Sequence, residues 1–158
     1  MKSIHPFTKK EAEEFLNKLN SQFGIEEIPG RLVKKGGERI FLYQGDYSDK
    51  EIQTIEGIAE IERLGAYIGK IFNPTGEARL SIEGTQIFKD QINKNIIEID
   101  SYQAQAWMEG DELQIKPDIT GIVVIKFCKD MLGCGKASAE KVTNYIPKVR
   151  RLKKKEGV

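Results

Sequence analysis

Apolar positions recur at helical spacing most clearly near the start of the chain, where Ala12, Phe15, Leu16, Leu19 and Phe23 form one stripe behind the capping-box pair Thr8 and Glu11. Gly24 then ends a helix at about residue 23. Beyond the Pro29–Gly30 turn, RLVKK and ERIFLYQ are two short runs of β-formers joined by Gly36 and Gly37, which predicts a hairpin. Ser48 and Glu51 repeat the capping-box spacing ahead of a second short helix. The texture changes near residue 64. From there AYIGKIF, ARLSI after the turn Pro74 to Gly76, IIEI, ELQI, GIVVIKF and a basic run around VRRLK read as short strands separated by turn residues. Two helices interrupt them, GTQIFKDQI near 84 to 92 and SYQAQAWMEG near 101 to 109. In the second, Ala104, Trp107 and Met108 share a face, which assigns Trp107 to a core.

This pattern defines an α+β protein, with a small α/β unit over residues 1–64, a small barrel or sandwich of short strands over 65–153 and a basic tail at 154–158. A chain of 158 residues with 39% hydrophobic content is long enough to bury a core. No stretch approaches the roughly 18 consecutive apolar residues of a membrane span, and MKSIHPFTKKEAEEF lacks the apolar centre of a secretion signal, so a cytoplasmic protein is expected. Cys128 and Cys134 are too few and too far apart for a zinc site, and reduced, largely buried thiols are expected.

Charge is unevenly placed. From Lys126 to Lys155 there are ten basic residues and two acidic ones, a local +8 in a chain whose total is +1, so the remainder is net negative. Cations that neutralise phosphates release condensed counterions, which makes this end the candidate face for a polyanion. In an extended VRRLK, Arg151 and Lys153 share one face and Arg150 and Leu152 the other, with Leu152 turned to the barrel. Tyr145 is placed either to stack on an unpaired base, with Asn144 reading its edge, or to pack beneath the barrel. The tail is either part of the contact or a solvated run, Lys154 and Lys155 above all.

Other chemistries lack their parts. GCGKAS has neither the third glycine of a dinucleotide loop nor the spacing of a P-loop, so Gly133 and Gly135 fit a tight turn or bulge. Ser138 and Lys141 spell SxxK without the companion motifs of a nucleophilic serine. His5, the sole histidine, has no titratable partner near it in sequence and is assigned to the surface. Neither a catalytic residue, a metal nor a cofactor is expected.

LGAYIGKI, GEARLSIEG, WMEGDEL, GIVVIKF, LGCGK and NYIPKVRRL, in that order, resemble the C-terminal PUA domain of Sun-family 5-methylcytosine RNA methyltransferases over about residues 60 to 153. The resemblance is tightest in Leu132 to Gly135 and Asn144 to Arg151, and it extends less tightly to small two-domain PUA proteins of ribosome biogenesis. It implies a PUA fold, a PUA-like mixed β pseudo-barrel over 65–153, and binding of RNA; together with the charge pattern, Lys129, Lys136, Asn144, Tyr145, Lys148, Arg150, Arg151 and Lys153 are the candidate contacts to rRNA or tRNA. It does not carry methyl transfer across, because some 64 residues before the PUA-like part are too few for a SAM-binding catalytic domain and neither cysteine stands in a Pro-Cys or Thr-Cys context. The implied partner is RNA, together with an RNA methyltransferase with which the chain works in trans or a ribosomal protein. The alternative is a protein-interaction subunit that docks through its N-terminal part, with RNA contact incidental.

Overall fold

The computed structural model describes residues 3–72 and 75–154. Helix α1 (Lys9–Phe23) begins at Thr8, whose hydroxyl accepts from Glu11 N at 3.1 Å while the Glu11 carboxylate accepts from Thr8 N at 3.0 Å. It ends at Gly24, which takes the left-handed conformation with φ 83°. Phe15, Leu19 and Phe23 form its buried face. The hairpin of β2 (Arg31–Lys35) and β3 (Arg39–Tyr43) turns through Gly36 and Gly37, both at positive φ. A strand absent from the sequence expectation precedes them: β1 (Ile4–Pro6) pairs antiparallel with β2, Ile4 opposite Lys35. Its three residues are too few to display an alternation.

Helix α2 (Asp49–Glu56) starts with the second capping box, Ser48 with Glu51. Strands β4 (Ala66–Phe72) and β5 (Glu77–Leu80) follow and complete a five-stranded antiparallel sheet in the order β1-β2-β3-β4-β5. The boundary expected at residue 64 thus falls between α2 and β4, and the pairing of β3 with β4 carries the first sheet across it. Of the turn expected at Pro74 to Gly76, Pro74 lies outside the described residues and Gly76 has φ 77°. The ARLSI run stops being strand at Leu80, because the Ser81 hydroxyl accepts from Gly84 N at 2.9 Å and starts helix α3 (Ile82–Ile87). That helix begins two residues earlier than the 84 to 92 segment expected.

A second sheet has the order β6-β7-β8-β9, from β6 (Ile96–Glu98), β7 (Gly121–Phe127), β8 (Asp130–Ala137) and β9 (Val142–Asn144). Strand β6 is parallel to β7, joined to it by way of helix α4 (Ser101–Met108), and the other pairs are antiparallel. ELQI contributes only the isolated bridge of Leu113 with Val142. The LGCGK glycines lie within β8, where Leu132 and Gly133 together oppose the single residue Ile125; Gly133, at φ 83°, makes the bulge. VRRLK is not a strand. Lys148–Arg150 form one 3₁₀ turn after Pro147, in which Arg150 N donates to Pro147 O at 2.9 Å.

The unbroken apolar run of β7 is explained by burial on both faces. Ile122 and Val124 join Leu19, Phe23, Ile68, Leu80 and Phe88 in a cluster between the two sheets and α1. Val123 and Ile125 join Trp107, Leu113 and Val142 in a second cluster on the α4 side. Trp107 is fully buried as expected, and its indole N–H donates to Leu132 O at 2.9 Å. A third cluster, Val33, Phe41 and Tyr43 with Ile52 of α2, covers the outer face of the first sheet at one end. The result is the α+β architecture with a barrel-like β part that the pattern defined.

Candidate nucleic-acid interface

The segment 144–154 leaves β9, crosses the end of α4 and passes α3, and most of its polar side chains hold it there. Asn144 is a structural hub: its amide donates to Trp107 O at 2.8 Å and Asp111 O at 3.0 Å, and its carbonyl accepts from Ile146 N at 2.8 Å. Those three bonds use both amide hydrogens and one acceptor site, which leaves a single lone pair for a base edge. Arg151 donates from Nε to Ile146 O at 2.9 Å, and its stem lies over Gly110, where a Cβ would come within 2.4 Å of Arg151 Cδ. Arg150 pairs with Glu83 at the start of α3. Lys154 pairs with Asp111 at 2.9 Å, which raises its ammonium pKa. Leu152 is 48% exposed, and its backbone N–H bonds Met108 O. The two-faced strand expected for Arg150 to Lys153 is therefore replaced by an irregular strap tied at Asn144, Arg150, Arg151, Leu152 and Lys154.

Lys148 and Lys153 are exposed, and none of the ion pairs within 4.0 Å among the described residues involves them. Lys129 sits in the β7–β8 turn, and Lys136 near the far end of β8, so about 3.3 Å of rise per residue puts them roughly 23 Å apart. Lys136 itself has polar company within the fold. Six of the eight candidates thus lie on the strap, Lys136 lies in β8 opposite Thr143, and Lys129 is remote.

Tyr145 is half-buried against the main core, between the two placements expected of it. The Arg79 guanidinium of β5 lies over its ring, 4.3 Å from the centroid. Tyr67, Arg79, Ser81, Gly133, Tyr145 and Pro147 line a niche of about 50 Å³ beside the strap. Burial pushes the Tyr67 hydroxyl pKa up, and the positive charges of Arg79 and Arg39 oppose the shift. Arg79 and Tyr67 escape a reading of the sequence because each lies more than 60 residues from Tyr145; only the packing of the two sheets against each other brings them together.

The two cysteines differ. Cys134 is buried, with its thiol pKa pushed up to about 12 by burial, whereas Cys128 is exposed in the β7–β8 turn at φ 54°, contrary to the burial expected for both. His5 is exposed as expected, but it has a titratable neighbour, Glu11, at 3.0 Å. Among the described residues no group of three or more His, Cys, Asp or Glu side chains is placed to hold a metal ion, and no helix is long and apolar enough to cross a membrane.

Fold and strap together describe a class, an α+β protein with a barrel-like β part, whose C-terminal part is similar to the PUA domain of RNA methyltransferases. Residues 94–152 match the family described as the methyltransferase RsmF PUA domain. Ribosomal RNA small subunit methyltransferase F of Aeromonas salmonicida (strain A449) is 26% identical over 144 residues, which cover 90% of this chain and 28% of that protein. The protein of the same name from Aeromonas hydrophila subsp. hydrophila is 24% identical over 144 residues, with the same shares covered. The chain therefore spans 28% of the length of these curated relatives.

Proposed function

We propose that this chain is a non-catalytic RNA-binding unit that recognises rRNA or tRNA in RNA modification or ribosome biogenesis, alongside an RNA methyltransferase or a ribosomal protein. The observation that carries the reading is the match of residues 94–152 to a PUA domain of an rRNA methyltransferase family, combined with a C-terminal strap that holds cations on the surface of that domain. Lys148 and Lys153 are the strap's phosphate contacts, and Arg150 and Arg151 shape it. The acidic remainder of the chain orients a polyanion toward this side.

The test is the affinity of the intact chain for total tRNA and for small-subunit rRNA fragments as salt is raised. Binding that weakens linearly in log salt supports the reading, with a slope of about 0.7 to 0.9 for each neutralised phosphate. Absence of binding to both RNAs at low salt overturns it.

One observation favours the protein-interaction reading as a second function of the N-terminal part. A groove of about 450 Å³ runs between α1 and β2, lined by Phe7, Ala12, Leu16, Ile28 and Leu32. It is large and apolar enough for one or two side chains of a partner. Replacing Leu16 with Glu and measuring assembly with a candidate methyltransferase or ribosomal protein checks it.

A further inference from the structure

We infer that the outer face of the first sheet is a binding surface for single-stranded RNA, built from Arg39, Lys70 and Arg79 with Tyr67 and Tyr145; this rests on the RNA-binding reading above. The face lies outside residues 94–152 except for Tyr145, and so extends the contact well beyond the matched domain.

Strand register makes the surface. Lys35 of β2 is opposite Arg39 of β3, Arg39 is opposite Lys70 of β4, and Lys70 is opposite Arg79 of β5. Directly opposed residues point to the same face of a sheet, so four basic side chains form one row across four strands. Lys35 is already used: its ammonium donates to Ile61 O at 2.5 Å and Glu62 O at 2.6 Å and ties down the connection before β4. No ion pair within 4.0 Å among the described residues involves Arg39, Lys70 or Arg79. At about 4.8 Å between strands, these three span roughly 10 Å.

A bulge adds the aromatic part. Tyr67 and Lys70 are three residues apart and would face opposite sides of a regular strand. Ile40 is opposite Gly69 but Phe41 is opposite Tyr67, so Ile68 is an extra residue in β4 and Tyr67 is swung onto the cationic face. The Arg39 guanidinium then lies 5.2 Å from the Phe41 centroid and 5.0 Å from that of Tyr67, as Arg79 lies over Tyr145. Planar guanidinium–aromatic stacks beside a free lysine are what unpaired bases and their phosphates require, and a duplex hides its base faces. The acids whose charges reach Tyr67 are Glu38 and Glu83, and Arg150 holds Glu83. The strap's pairing thereby keeps this face positive.

The experiment titrates the full chain with fluorescent oligouridylate and with a blunt RNA duplex, and compares R39Q/K70Q/R79Q with K9Q/K10Q/K50Q, which removes the same charge from exposed lysines elsewhere. Three lost contacts at about 0.7 log units each, at 0.1 M salt, predict about a 100-fold weaker affinity for oligouridylate and a salt slope lower by about 2. The control variant is expected to bind within a few-fold of the intact chain. K70Q alone, which leaves both guanidinium stacks in place, is expected to lose about 5-fold and keeps the test valid if the triple variant unfolds. Unchanged binding by K70Q and by a folded triple variant overturns the inference while leaving RNA binding in place. Equal losses in the control overturn it too, as does preference for the duplex. No binding by the intact chain overturns this inference together with the reading beneath it.

Discussion

Asn144 is the residue at which a structural role and a recognition role separate most cleanly. Replacing it with Ala removes three hydrogen bonds at once, two donated to Trp107 O and Asp111 O and one accepted from Ile146 N. Each is worth about 1 kcal/mol net, and partners left without an equivalent raise the cost, so the loss comes to about 3 kcal/mol at this partly buried site. At about 2–4 °C per kcal/mol for a chain of this size, the melting temperature falls by about 6–12 °C. Asn144→Asp keeps the acceptor for Ile146 N but sets a carboxylate against two carbonyls, and is expected to fall at least as far. Thermal unfolding followed by circular dichroism measures the drop, and RNA titration well below the midpoint measures recognition. The account predicts a large loss of stability with affinity nearly unchanged. An unchanged melting temperature with affinity lost would refute it and restore Asn144 as a base reader.

The other predictions address the packing and the ionisable groups. Gly84→Ala would place a Cβ 2.2 Å from Ile68 O, so α3 must move off β4 and urea denaturation should show a loss of about 2–3 kcal/mol. Glu11 is held at a pKa of about 2, below its ordinary 4.5, first by the hydrogen bond from Thr8 N and then by His5. A depressed carboxyl stabilises the fold above its unfolded pKa, and that contribution disappears as pH falls from about 4.5 through 2. Glu11→Gln, which keeps the capping box, should flatten the pH dependence of stability in that window. Aromatic disulfide reagents should titrate Cys128 in the native protein and Cys134 only after unfolding, since the latter is buried with a thiol pKa of about 12.

Elements that carry their own local chemistry were legible from the residues alone. Thr8 with Glu11 and Ser48 with Glu51 marked two helix starts, Gly24 marked an end, and Gly36 with Gly37 marked the hairpin. The strand GIVVIKF and the core position of Trp107 were likewise visible in composition and period. The strap was not, because Pro147 fixes φ near −58° and starts a 3₁₀ turn, while the alternation in VRRLK imitates a strand. Glu83 of α3 pairs with Arg150, Trp107 and Asp111 at and after the end of α4 take the Asn144 amide, and Gly110 lies under Arg151, so no local pattern could show that these side chains are occupied. The row Arg39, Lys70 and Arg79 was hidden for the converse reason. Its members are scattered through a net-acidic stretch, and only antiparallel register, shifted by one bulged residue, lines them up beside Tyr67.

The central claim is that this fold binds RNA on a continuous cationic side running from the strap to the first sheet. Ultraviolet crosslinking of the intact chain to an rRNA fragment, with the crosslinked peptides identified by mass spectrometry, tests it most directly. The account predicts crosslinks on peptides containing Tyr67, Arg79 and Tyr145 to Lys153. Crosslinks confined to α1 and the apolar groove beside it, or none above those given by an acidic protein of similar size, would contradict it.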